Sequence, residues 1–342
     1  MADKLRVVLA GCGGMSNAWL RIANELPDVE MVGLVDIREE AAWERAEKFG
    51  LTQEFVGTDL AKALDETAPD VVFDCTVPEA HVEVTLEALS HGCHVLGEKP
   101  LADSMDNARR MVAAAEGAGK IYAVIQNRRY DPRIRRLSKF LASEAVGPLT
   151  TLDCDFYIGA HFGGFRAKME HVLLLDMAIH TFDAARLITG ADPVRVYCHE
   201  WNPSGSWYDH DASAVAIFEM TGGIVYTYRG SWCSEGCNTT WESTWRAIGE
   251  QGTVLWDGGD GFRTQVVRNR DPFISEFDEP ELPPAAPDEK CGGHRGIIEE
   301  FVHCVRTGGT PETVCTDNIK SLAMVFGAIK SAETGKPVET EI

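Results

Sequence analysis

The sequence predicts an α/β protein in two parts: a doubly wound parallel sheet at the N-terminus, then an α+β domain on a large, open, mostly antiparallel sheet. Three observations carry this. Up to residue 125, apolar runs of strand length alternate with longer amphipathic stretches, the pattern of parallel strands covered by helices on both faces. After Gln126, apolar residues recur at every second position, as in strands with one buried face. The length, 342 residues, corresponds to roughly two domains at ~150 residues each. The expected division is therefore 1–125 and 126–342, with the two closing helices able to pack back toward the first domain.

In the first domain the strands fall at 6–10, 31–36, 71–75, 94–97 and 121–125. Between them, 17–26, 38–49, 81–91 and 104–116 repeat apolar residues at three- and four-residue intervals, one face of a helix. In the second, 149–157, 194–201, 212–220 and 224–232 alternate as strands. Thr221, Gly222 and Gly223 join the last two as a tight hairpin, because glycine reaches positive φ without steric cost. A helix at 173–187 ends at Gly190, and helices near 295–306 and 317–333 close the chain. Residues 271–290 carry prolines at 272, 280, 283, 284 and 287 among many acids, which predicts an exposed, irregular excursion.

Lys and Arg total 32 against 53 Asp and Glu, a formal charge of −21, which repels phosphate backbones and anionic lipid. Nucleic acid and membrane surfaces are therefore not expected partners. No stretch reaches the ~20 apolar residues of a membrane span, and the first apolar run is too short for an export signal. The ten cysteines are scattered with no CxxC spacing, so a reducing cytoplasm is expected and no metal is assigned.

Directly after the first strand, Gly11-Cys12-Gly13-Gly14-Met15-Ser16 leads into a helical pattern and reads G-x-G-x-x-S. In a dinucleotide fingerprint the first glycine makes the tight turn and the second admits the pyrophosphate, while the helix N-terminus supplies free N–H groups. Alone, such a cluster is equally a plain structural turn. Asp36 at the end of the second strand adds a carboxylate where both adenosine ribose hydroxyls would be bound. A 2′-phosphate would meet its charge, so NAD is favoured over NADP, with Arg38 as the one neighbour that would ease NADP binding.

Further on come Thr76, Pro78 and His81, then Ala88, Gly92, His94-Val95 and Glu98-Lys99-Pro100. Arg129-Tyr130 with Pro132, Asp176 with His180, and Ser331, Gly335 and Val338 follow. In these segments, over nearly its whole length, the sequence resembles the Gfo/Idh/MocA oxidoreductases. The resemblance implies an N-terminal Rossmann domain and NAD-dependent oxidation or reduction of a hydroxyl or carbonyl on a sugar, inositol or related polyol. It also implies a homodimer or homotetramer formed through the C-terminal sheet. The family's catalytic Lys, Asp and His carry over as Lys99, Asp176 and His180. The cofactor contacts expected with it are Gly11, Gly13, Gly14, Met15, Asp36, Arg38, Thr76, Pro78, His81, Glu98, Lys99 and Asn127, with Pro78 shaping the turn under the nicotinamide and His81 equally suited to capping a helix.

The chemistry agrees with that group. Removing hydride from a carbinol carbon requires a base for the hydroxyl proton, and imidazole, with an ordinary pKa of ~6.5, suits that near neutrality. Asp176 and His180 are i and i+4 on a helix and project from one face. Lys99 would set a cation beside the developing alkoxide. The sequence departs from the family just before Asp176: many members are glycine-rich there, whereas this chain has Arg166, Lys168, Glu170 and His171. Arg166, Lys168 and His171 suit a substrate carboxylate or several hydroxyls, and equally a solvated surface. Trp232, Trp241 and Trp245 suit sugar stacking, core packing or a subunit interface. Two other readings stand beside the dehydrogenase: a redox-neutral lyase or glycosidase that returns the hydride, and a non-catalytic dinucleotide-binding sensor.

Overall fold

The computed structural model describes residues 4–51, 54–285 and 290–342. The chain forms two compact units. One runs to Asn127 and also takes in Gly292–Leu322; the other comprises Arg128–Cys291 and Ala323–Ile342. The first unit thus ends within two residues of the expected division but is not continuous, because a C-terminal segment belongs to it.

The first unit contains β1 (Leu5–Ala10), α1 (Ser16–Glu25), β2 (Val29–Val35), α2 (Glu39–Lys48), β3 (Phe55–Gly57), α3 (Leu60–Thr67), β4 (Val71–Asp74), α4 (Pro78–Ser90), β5 (His94–Gly97), α5 (Met105–Ala118) and β6 (Tyr122–Val124). All strand pairs are parallel, in the order β3-β2-β1-β4-β5-β6. Val7, Val8, Leu9, Val72, Phe73, Val95 and Leu96 are buried, as strands covered on both faces require. The strand order reverses between β1 and β4, so a crevice opens at their carboxyl ends. β3 and α3 lie outside the expected elements. β3 has only three residues, but α3 carries a readable signal, an Asp59 cap whose side chain accepts from the Lys62 amide.

The second unit holds α6 (Pro132–Ala142), β7 (Leu149–Tyr157), α7 (Gly164–Ala167), a π-helical turn (Leu173–Ala178) running into α8 (Ile179–Thr189), β8 (Pro193–Trp201), β9 (Ser213–Met220), β10 (Val225–Ser231), β11 (Thr244–Gly249), β12 (Gly252–Trp256), β13 (Phe262–Asn269) and β14 (Glu276–Asp278). The chain then forms α9 (His294–Thr307), which packs on α1 and β5 in the first unit, α10 (Cys315–Thr334) and β15 (Val338–Glu339). Nine strands make one sheet in the order β14-β13-β12-β11-β7-β10-β9-β8-β15. Among the described residues β7–β10 is its one parallel pair, so the sheet is mostly antiparallel. One face packs on α8, where the Phe182 ring meets those of Phe218 and Tyr228 at 4.9 and 5.2 Å. The β9–β10 turn uses Gly222 and Gly223 at φ 75° and 78°.

The excursion expected over 271–290 is only partly irregular. It supplies edge strand β14, its Leu282 is buried, and Arg136 binds the carbonyls of Leu282 and Pro283. Pro287 lies outside the described residues.

Candidate active site

In the first unit, Gly11 sits at φ +89°, and a Cβ there would stand 2.6 Å from the carbonyl carbon and oxygen of Cys75. Only glycine lets the ends of β1 and β4 approach this closely. At Gly13 and Gly14 the opposite holds, since a Cβ would meet nothing within 4 Å. The amides of Gly13, Gly14 and Met15 donate to no acceptor among the described residues. Asp36 is turned to this loop: one carboxylate oxygen accepts from the Cys12 amide at 2.7 Å, the other from the Arg38 amide at 2.9 Å. The exposed Arg38 guanidinium stands 3.8 Å from the same carboxylate. An open loop of amide donors with a carboxylate at its rim fits a dinucleotide, the pyrophosphate on the amides and the ribose at Asp36.

At the end of β4, Thr76 donates through its hydroxyl and amide to Asp74 Oδ1, at 2.5 and 3.0 Å, and His81 Nδ1 lies 2.8 Å from Asp74 Oδ2. Burial works against a charged His81 ring, but Asp74 outweighs it and raises the pKa. His81, expected at the cofactor, is fully buried and braces Asp74 and Thr76 from within α4; Pro78 opens that helix. At the end of β5, Glu98 is buried and accepts from Trp19 Nε1 at 2.8 Å. The Lys99–Pro100 bond is cis. His294 at the start of α9 is a group that sequence reasoning missed. Burial lowers its pKa, Glu98 opposes that and Lys99 reinforces it, so the ring is within electrostatic reach of both. The signal available was Gly292-Gly293 ahead of a helix, both at positive φ. Asn127 begins a 3-10 turn, Asn127–Tyr130, after β6.

In the second unit, Asp176 lies in the π-helical turn and His180 is the second residue of α8. Such turns are rare and concentrate at functional sites. Arg166 in α7 clasps Asp176 with two hydrogen bonds, Nε to Oδ2 at 2.8 Å and Nη2 to Oδ1 at 3.2 Å. Phe162 and Phe165 flank the same guanidinium at 4.9 and 4.8 Å. Lys168 is exposed and forms no ion pair among the described residues. His171, grouped with Arg166 in the sequence, is committed elsewhere: Nδ1 meets Glu200 of β8 at 2.6 Å and Nε2 faces Glu333 of α10 at 3.9 Å. The Glu200 hydrogen bond raises the His171 pKa, while burial raises that of Glu200. Trp232 and Trp245 are core residues, which leaves Trp241, half exposed and edge-on to Trp232 at 5.7 Å, as the one of the three with an open face. A buried clasp between Arg129 and Asp183, at 2.7 and 2.9 Å, ties the segment before α6 to α8.

Two family models match the chain, "Oxidoreductase family, NAD-binding Rossmann fold" over residues 5–126 and "GFO/IDH/MocA C-terminal domain" over residues 134–255. The chain is 27% identical to D-apiose dehydrogenase of Paraburkholderia graminis over 98% of this chain and 90% of that protein. It is 29% identical to inositol 2-dehydrogenase 4 of Saccharopolyspora erythraea over 97% of this chain and 94% of that one. An oxidoreductase of Agrobacterium radiobacter, crystallised with NAD+, L-tartaric acid and magnesium, has the same fold, with a TM-score of 0.84 at 22% identity and 99% of each chain covered.

Proposed function

Since the chain belongs to the Gfo/Idh/MocA family of NAD-binding oxidoreductases, we propose that it transfers hydride between NAD and a secondary hydroxyl or carbonyl of a sugar, inositol or related polyol. The observation that carries the cofactor half is the open amide loop with Asp36 at its rim. The polyol half is supported by the D-apiose and inositol dehydrogenase relatives. When bound, NAD supplies the hydride acceptor. His180 takes the hydroxyl proton, Lys99 stabilises the alkoxide as it forms, and Asp176, held by Arg166, orients the substrate. Asp36 makes NAD the preferred cofactor. Pairing of sheets between subunits is supported by the outer face, where Tyr197 of β8 and Ile217 of β9 are exposed cross-strand neighbours.

The test is a screen of sugars, inositols and sugar acids with NAD and NADP, followed by absorbance at about 340 nm and product identification by NMR. NADH formed in step with an oxidised polyol supports the proposal. Substrate conversion with no net NADH would replace it with the redox-neutral reading, and no conversion with any compound would leave the sensor. Lys99→Met separates chemistry from packing. Its kcat should fall at least about a hundredfold, as for a lost oxyanion donor, with the melting temperature near wild type.

A further inference from the structure

The glycine loop is held from behind by the last turn of α2. Arg45 donates from Nε to Ser16 Oγ at 3.2 Å and from Nη2 to the Gly13 carbonyl at 3.3 Å, and Ser16 Oγ donates to the same carbonyl at 2.6 Å. One helical turn on, Lys48 Nζ donates to Asn17 Oδ1 at 2.7 Å, and Asn17 Nδ2 donates to the Gly14 carbonyl at 2.8 Å. Two successive carbonyls are therefore each fixed by a side chain of α1 that a cation of α2 holds in place. In a trans peptide the carbonyl and the following N–H point in opposite directions. Fixing the Gly13 and Gly14 carbonyls on these side chains aims the Gly14 and Met15 amides away from them, and both amides lack an acceptor among the described residues. Neither Arg45 nor Lys48 forms an ion pair with a carboxylate among the described residues, although the chain carries a net charge of −21.

We propose that Arg45 and Lys48, acting through Ser16 and Asn17, are positioning residues that pre-aim the glycine-loop amides at the dinucleotide pyrophosphate and add uncompensated positive charge behind it. The inference rests on the cofactor reading and deepens it. It also explains why the third fingerprint position is serine: glycine there would remove the hydroxyl that links Arg45 to the Gly13 carbonyl. Preorganised donors and a nearby cation favour an anion because no reorganisation is needed when it binds.

The experiment is a direct titration of NAD, ADP-ribose and adenosine onto the full chain, alongside melting temperatures. Arg45→Met with Lys48→Met should raise Kd for NAD and for ADP-ribose about tenfold, through loss of the aimed amides and of the positive charge behind them. Adenosine, which has no pyrophosphate, should bind within about twofold of wild type. Ser16→Gly should weaken NAD about threefold, whereas a motif governed by close packing alone would bind equally or better with the fingerprint's own glycine. Arg45→Lys keeps the charge and should restore part of the loss. Kd values for NAD unchanged within about twofold in both Ser16→Gly and the double variant would overturn the proposal, as would equal weakening of adenosine and ADP-ribose, the mark of general unfolding. Failure of the wild-type chain to bind NAD would instead remove the cofactor reading itself, and the brace with it.

Discussion

Gly11 and His171 both hold the backbone at positive φ beside residues assigned to function, at +89° and +51°, and they do so by opposite means. At Gly11 the Cys75 backbone lies where a side chain would begin, so the conformation is secured by leaving the side chain out. At His171, in the stretch that leads to Asp176, a full imidazole occupies a conformation that L-residues visit rarely, and its ring is held by the buried Glu200. The first device is steric and independent of pH; the second is electrostatic and depends on a proton. A strained residue kept in place by a buried partner is more often met at functional sites than elsewhere.

Three substitutions sharpen that contrast. The largest effect is expected from Gly11→Ala, whose Cβ collides with backbone that cannot swing away. A loss of more than about 3 kcal/mol, or no folded protein, should appear in chemical denaturation. A stable variant with wild-type NAD affinity would show that β1 and β4 can separate. Next is Glu200→Ala, which deletes the buried partner. About 2 kcal/mol is expected, less than for a fully buried pair because His171 keeps some access to water. The smallest is His171→Gly, where about 1 kcal/mol of relieved backbone strain offsets much of the lost ion pair.

This last variant should change sign with pH. His171 has a raised pKa in the folded chain, mainly through the Glu200 hydrogen bond, with Glu333 and Glu170 adding to it. A raised value means that the pair's contribution is complete below the unfolded value of about 6.5 and is lost as pH rises through the folded one. His171→Gly should therefore destabilise the chain near pH 6 and be neutral or stabilising near pH 9. A difference that does not vary with pH would mean that His171 is held by packing instead of charge.

Legibility in the sequence followed how locally each feature is encoded. β1, β4 and β5 carry apolar runs at 7–10, 71–73 and 95–96 because both faces are buried, and β7 through β10 alternate because one is. β11, β12 and β13 lie outside the expected strands: the first two are short, with the Gly249 to Gly252 turn breaking the period before it is established, and β13 is polar at five of its eight positions. The lysine, aspartate and histidine of the proposed reaction were readable from motif order. Arg129 with Asp183, and His171 with Glu200, were not, because each pair joins residues far apart in the chain that lie together only after folding. Arg45 and Lys48 resemble the solvated basic end of any helix until their hydrogen bonds are seen.

The proposed reaction pairs dinucleotide binding by the glycine-loop unit with transfer of the substrate proton to His180 on α8. It is tested most directly by His180→Ala at saturating NAD and polyol, read as NADH formation across pH 6 to 9. The kcat should fall by about 10²–10⁴ and the limb that rises through neutrality should be lost, with an unchanged Kd for NAD. Wild-type turnover with the pH limb intact would contradict it.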